Sequence, residues 1–430
     1  MWRTVAVNLS VVAYVAGALA FRRRAVVIRV LTGVMLAWAT YYFVAEAVLA
    51  PMHNHGFDFT QYLVGGEELR AGRDPYRDWR EYAATGGGPV ADVLGAHGLW
   101  KTPPISYLPP FYVAVMPLFR LPFETAFKVW TLLNAALLVG AVVFAARAFG
   151  VRTAWGTAAA LALAFVWVPT YDNALQGQVN VLLLFALAVA AWGVAARRRL
   201  VAGAASTIGL LVKVYPGIVL LYFLFRRRWR EVAAAAVVAT AVVVVVGAVY
   251  GFGLYRSFVE CIFIPTMQAP RTWILNTSPV TLAARLIPAG VDPAPFQRAW
   301  GLALLAACGA GLLYFIKPRF EPAAEIAAFV ALSVTASVWT TQHHHVLLAL
   351  PFLFLGRELY RGRLGRWPAA FAVASFLVIA WRVDLRDLQF LGWRGVALAA
   401  LKPLALLALP AALLLHARRE SAAAAAPQKP

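Results

Sequence analysis

Acidic residues are scarce in this chain, with 19 aspartates and glutamates among 430 residues against 39 lysines and arginines. Charged residues of both signs make up 13%, about half the share usual for a soluble domain. Cysteine is nearly absent. Cys261 and Cys308 stand far apart, neither has metal-ligand spacing, and they read as two free thiols without a chemical role. No hydrophilic stretch is long enough to fold alone around its own core, so the chain reads as one domain. Internal repeats of the kind that mark many transporters are missing. A cleavable leader is not evident either: the apolar residues 5–21 run into FRRRAVVIRV, where a small-residue cleavage site would be needed.

Apolar residues fill the space left by charge. They make up 62% of the chain, and its mean hydropathy is +0.71. Apolar runs long enough to cross a bilayer recur throughout, and they predict an all-α polytopic membrane protein with about 11–13 transmembrane helices. The arginines sit in short clusters between these runs: Arg22–Arg24, Arg197–Arg199, Arg226–Arg228, Arg361 with Arg363 and Arg366, and Arg418–Arg419. That is the pattern of cytoplasmic loops. The net charge of +20 therefore points to anionic membrane lipids as partners and not to nucleic acid.

With the clusters inside, spans are expected at 5–21, 25–50, 123–146, 154–170, 180–196, 231–251, 298–316, 323–341, 346–355, 368–381 and 395–416. Residues 200–225 lie between two arginine clusters that both look cytoplasmic. A single crossing would put one cluster outside, so two half-helices broken near Leu211–Gly217 are expected, with Lys213 at the break. Irregular backbone at membrane depth is tolerated only where protein buries it or it lines a wet cavity, and an ionisable residue there marks a functional position. The single membrane domain is read as 1–416. Within it, 51–122 is an outer loop with interfacial helices and 252–297 a second outer loop. Residues 417–430, low in complexity, read as a disordered cytoplasmic tail.

On this topology the distinctive polar residues gather on the outer side. They include Asp58, Tyr62, Lys101, Tyr107, Asp172, Asn173, Gln178, Asn180, Arg271, Asn276 and His343–His345. Asp58 stands out because no lysine or arginine lies within ten positions before it, and Arg70 is the first after it. Two roles fit Asp58: a solvated cap on a helix starting near Thr60, favoured by the helix dipole, or a catalytic base where a span meets water. Three consecutive histidines cannot all face one metal on a helix, and no acidic or cysteine spacing joins them, so no metal is expected. They suit an anion instead. Gln176–Asn180 either caps the 180–196 span or binds a ligand. Lys213 either snorkels or serves a site. His53 and His55 read as bystanders.

These positions fall in an order that resembles glycosyltransferase family 87. Asp58, Tyr62, Gly66, Leu69, Gly72 and Tyr76 come first. Tyr107-x-Pro109, Gly177-Gln-x-Asn180, Lys213-x-x-Pro216, Asn276-Thr-Ser278 and His343–His345 follow. The family pattern has Asn-Gln-Ser where this chain has Asn-Thr-Ser. The resemblance is to the polyprenol-phosphate-mannose-dependent α-(1→2)-mannosyltransferases of the GT-C fold, the PimE type among them. It implies an inverting enzyme of the plasma membrane with its site on the outer, periplasmic face. Mannose would pass from polyprenyl-phosphate-mannose to a mannose 2-hydroxyl of a phosphatidylinositol mannoside or related envelope glycolipid. Asp58 would be the general base. His344, His345, Lys213 and Arg271 would hold the donor phosphate. Tyr62, Tyr107, Gln178, Asn180, Asn276 and His343 would bind sugar or acceptor, a tyrosine ring stacking on the sugar. No cofactor or metal is expected. The residues do not exclude another lipid-phosphate sugar, such as arabinofuranose or glucose. The alternative from another class, a polytopic lipid or sugar transporter, has against it the missing repeat, the one-sided polar residues and the long outer segment after the second span.

Overall fold

A computed structural model describes residues 2–53, 56–213, 217–268, 275–287, 291–316, 321–381 and 393–425. Every regular element among them is a helix. Helix α1 spans Trp2–Ala20 and α2 Ala25–Phe43, the latter prolonged through a wider turn to Met52. Four short helices follow: α3 (Thr60–Arg70), α4 (Pro75–Thr85), α5 (Pro89–Ala96) and α6 (Pro109–Val115). Prolines at the first or second position of the last three, and the Asp74 carboxylate accepting from Tyr76 and Arg77 N–H, set where these helices start.

The bundle continues with α7 (Phe123–Ala148), α8 (Ala154–Phe165), α9 (Val168–Gln176), α10 (Asn180–Ala195), α11 (Arg199–Val212) and α12 (Ile218–Phe225). After α13 (Trp229–Tyr250) come the short α14 (Gly253–Phe258) and α15 (Thr281–Leu286). Then follow α16 (Ala294–Ile316), α17 (Pro322–Ala336), α18 (Ala349–Tyr360), α19 (Arg366–Ile379) and α20 (Trp393–Ala425).

Among the described residues four helices are long and apolar enough to cross a membrane: Ala25–Met52, Phe123–Ala148, Trp229–Tyr250 and Trp393–Arg419. The bent pair α8–α9 makes a fifth, and five shorter apolar helices accompany them. The chain is an all-α polytopic membrane protein. The expected count of spans is larger than the number of full-length helices because several runs are broken. Helices α8 and α9 meet at 58°, where Trp167 is extended and Pro169 opens the second helix. Helix α17 ends at Ala336, and Ser337 is extended. Helix α11 stops at Lys213, whose backbone is extended, and α12 resumes at Ile218. This is the half-helix break expected near Leu211–Gly217. At 1.5 Å per residue α11 is about 21 Å long and α12 about 12 Å, each too short to cross a bilayer core of about 30 Å by itself.

Close approach holds these pieces together. A Cβ on Gly203 would stand 2.3 Å from the Glu231 carbonyl oxygen, so only glycine allows α11 to lie this near α13. At the arginine-rich end, Arg226 pairs with Glu325, Arg228 with Glu231 at 3.0 Å, and Arg357 with Glu321 at 2.8 Å. One expectation is corrected: α20 runs on to Ala425, into the tail that its low complexity marked as disordered. Alanine has the highest helix propensity, so an alanine run prolongs a helix already nucleated. Residues 426–430 lie outside the described residues.

Candidate functional site

The broken elements converge on one cluster of polar side chains. Asp58 sits in a single 3-10 turn, Phe57–Phe59, after left-handed Gly56 and before α3. It does not cap α3, whose N-terminus has no side-chain cap. Its carboxylate is half-buried and Oδ2 accepts from Gln178 Nε2 at 2.6 Å. Gln178 follows Gly177, which ends α9 with φ +72°. A Cβ there would meet Phe59 Cβ at 2.7 Å and the Phe127 ring at 2.9 Å. The conformation and the space both require glycine, and Gln178 is thereby turned toward Asp58.

The hydrogen bonds around Gln178 run in one direction. Tyr62 Oη donates to Tyr107 Oη at 3.3 Å, and Tyr107 Oη donates to Gln178 Oε1 at 2.7 Å. Because Oε1 is the acceptor, the amide nitrogen faces Asp58 and donates to its carboxylate oxygen, which favours the ionised form. Burial pushes the Asp58 carboxyl above its usual range. His343, the Gln178 hydrogen bond and, when protonated, Lys213 oppose that shift without cancelling it, and Asp172 adds to it. Burial also holds the Tyr62 and Tyr107 phenols well above their ordinary range, so both remain donors.

Lys213 lies on the other side of Gln178. Its Nζ is 3.3 Å from Gln178 Oε1, 3.2 Å from Asn180 Oδ1 and 3.1 Å from His344 Nε2. His344 Nδ1 accepts the Thr341 backbone N–H at 2.9 Å. A neutral His344 ring therefore carries its proton on Nε2, facing Lys213. A neutral amine satisfies all three contacts, with two N–H groups toward Gln178 and Asn180 and its lone pair toward His344. An ammonium would set donor against donor at His344. An anionic oxygen placed between them accepts from both and removes the conflict. His343 Nδ1 lies 3.4 Å from Asp172 Oδ2. Asn173 Oδ1 accepts from both nitrogens of Asn180, and its Nδ2 donates to the Gln178 carbonyl, each at 3.0–3.2 Å. Asn173 thus anchors the segment that carries both ligand-facing amides.

Asp58, Tyr62, Tyr107, Gln178, Asn180, Lys213, His343 and His344 are therefore neighbours, although 286 positions separate the first from the last. Three expectations change. Tyr62 and Tyr107 are fully packed by Phe59, Phe111, Trp130 and each other, with Lys213 Nζ 5.1 Å from the Tyr107 ring centre, so neither offers a free face for a sugar to stack on. His345 is fully buried, with Nε2 3.0 Å from Thr277 Oγ1 and its carbonyl bonded to Trp167 Nε1. It ties the histidine segment to Thr277 and Trp167. Asn276 uses its amide on backbone: Oδ1 accepts from Ser278 and Thr340 N–H, and Nδ2 donates to the Val338 carbonyl. It clamps the chain before Thr341. Arg271 lies outside the described residues.

Lys402 escaped sequence reasoning. It is buried in α20 and donates to Gln342 Oε1 at 2.7 Å. The signal was a lysine inside an apolar run. Among the described residues no three histidines, cysteines or acids form a metal-ligating group.

A half-buried carboxylate lies one glutamine away from an amine–imidazole pair where the broken helices converge, an arrangement chemically suited to proton transfer beside an anion. Comparison with known proteins agrees in class. Residues 106–351 match the profile of Glycosyltransferase family 87. That is more than half of the chain, and the chain belongs to this family: it is a membrane glycosyltransferase. The match takes in Tyr107, Gln178, Asn180, Lys213 and His343–His345, while Asp58 and Tyr62 precede it. No curated protein matches the sequence.

Proposed function

We propose that the protein is an inverting α-(1→2)-mannosyltransferase of the PimE type. It uses polyprenyl-phosphate-mannose and acts on a mannose 2-hydroxyl of a phosphatidylinositol mannoside or related envelope glycolipid at the outer face of the plasma membrane. The observation that carries this reading is the Gln178 bridge, with Asp58 on one side and Lys213 with His344 on the other. Inversion needs one base opposite the leaving group and no covalent intermediate. Asp58 takes the proton of the acceptor hydroxyl as its oxygen attacks C1. The bond from C1 to the phosphate oxygen breaks, and the electron pair leaves on polyprenyl phosphate. General-base assistance is typically worth about 100- to 10,000-fold.

Lys213 and His344 receive the phosphate, whose oxygen replaces their mutual contact and takes a hydrogen bond from each. Charge developing on the leaving oxygen is stabilised there by donors already in position. Asn180, Gln178 and His343 border the sugar position, and Asn276 and His345 act through the loop they hold. Purified protein incubated with radiolabelled polyprenyl-phosphate-mannose and envelope glycolipid should yield labelled glycolipid. In the same protein reconstituted in vesicles, label that crosses the membrane without being incorporated would favour transport, and transfer only from polyprenyl-phosphate arabinofuranose or glucose would change the donor.

A further inference from the structure

Two cavities are lined without Asp58, Gln178 or Lys213: one between α1, α8, α18 and α19, the other between α1, α2, α8 and α18. The first, about 280 Å³, has an almost wholly apolar lining that includes Val15, Leu163, Trp167, Phe352 and Phe376. The second, about 370 Å³, shares Val15, Leu19, Leu163 and Leu353 with it and opens at the arginine-rich end beside Arg152 and Arg361. Together they form one groove, apolar along its depth and basic at its mouth. Arg357, which also lines it, is held by Glu321 and Glu358. Arg361 stands 3.8 Å from Glu358, a loose contact, and both Arg152 and Arg361 are exposed. No ion pair is formed by Arg152 among the described residues.

We infer that this groove is a binding site for an anionic glycerophospholipid of the leaflet that faces the arginine clusters. Its phosphate meets Arg152 and Arg361, and one acyl chain fills the apolar cavity toward Trp167. Packed protein interiors tolerate few voids larger than a water molecule, and an apolar void open to the bilayer is filled by hydrocarbon. Charge chooses the headgroup. Among the described residues three arginines (Arg152, Arg357, Arg361) line the mouth, against two glutamates (Glu321, Glu358) that pair with them. The inference does not depend on the transfer reaction.

The full chain, purified from mixed phosphatidylglycerol and phosphatidylcholine vesicles, is examined by native mass spectrometry. Preferential retention of one phosphatidylglycerol is expected. Arg152→Gln with Arg361→Gln should weaken retention about thirtyfold, roughly fivefold for each arginine lost near a membrane surface. The double lysine variant should keep most of it. Ala16→Trp, which fills the groove from its wall, should also release the lipid with both arginines intact. Equal retention of the zwitterionic lipid would overturn the inference. So would unchanged retention in the glutamine or tryptophan variant, or displacement of the phospholipid by polyprenyl phosphate, which would make the groove the donor's channel.

Discussion

Gln178 Nε2 donates to Asp58 Oδ2 at 2.6 Å, joining two residues 120 positions apart. This bond and the neighbouring His343 both hold the Asp58 carboxyl down against the effect of burial. The base must be ionised, so turnover should fall as pH drops through the Asp58 titration. Removing a group that lowers that pKa moves this acid limb to higher pH. His343→Gln should shift the limb of kcat/KM upward while leaving the high-pH plateau less affected. Gln178→Leu should do the same and also lower the plateau by about 10- to 100-fold, the scale of a hydrogen bond to a charged group. A pH–rate profile for each variant checks both.

Lys213 meets three partners, and a neutral amine satisfies them all. A phosphate replacing the His344 contact favours the ammonium, so donor binding should take up a proton. Calorimetry in buffers of different ionisation enthalpy should show a dependence of the binding heat, absent in Lys213→Met. That variant should raise the donor KM at least tenfold. Lys213→Arg should not rescue it, because a planar guanidinium does not fit a pocket shaped around a compact amine.

Asn276→Ala is expected to act on stability. It strips the Ser278 and Thr340 N–H groups of their acceptor and the Val338 carbonyl of its donor. Each buried group left unpaired costs about 1–3 kcal/mol. Thermal unfolding in detergent should show a clear drop in Tm, with kcat of the folded fraction retained within severalfold. Loss of turnover at unchanged Tm would return Asn276 to the binding site.

Gly177→Ala combines a left-handed backbone with a clash against Phe59 and Phe127. The backbone component alone costs about 1–2 kcal/mol. The chain should insert in the membrane and lose both stability and turnover, because Gln178 is no longer aimed at Asp58. A membrane-yield assay paired with a transfer assay separates the two effects.

The sequence was informative where chemistry and span counting coincide. Two arginine clusters 26 residues apart forced a break, and the break falls at Lys213. The ordered polar motifs named most of the residues that meet around Gln178. Depth was not legible. Tyr62 and Tyr107 look like interfacial aromatics in sequence, but they are sealed by Phe59, Phe111 and Trp130, which come from three separate segments. The role of Asn276 depends on Val338 and Thr340, more than sixty positions away, and that of Lys402 on Gln342. Such pairings arise only from packing. The fate of 417–425 turned on a different balance, since an alanine run reads as low complexity alone and as helix when it follows a formed helix.

The central claim is that Asp58 removes the acceptor proton. The most direct measurement is transfer of radiolabelled mannose from polyprenyl-phosphate-mannose to the glycolipid acceptor by Asp58→Asn. The amide preserves size and can still meet Gln178, so the variant should purify folded, with donor binding intact. Transfer should fall by at least about 100-fold, the lower end of general-base assistance. Transfer within a few fold of the unmodified protein would contradict the account.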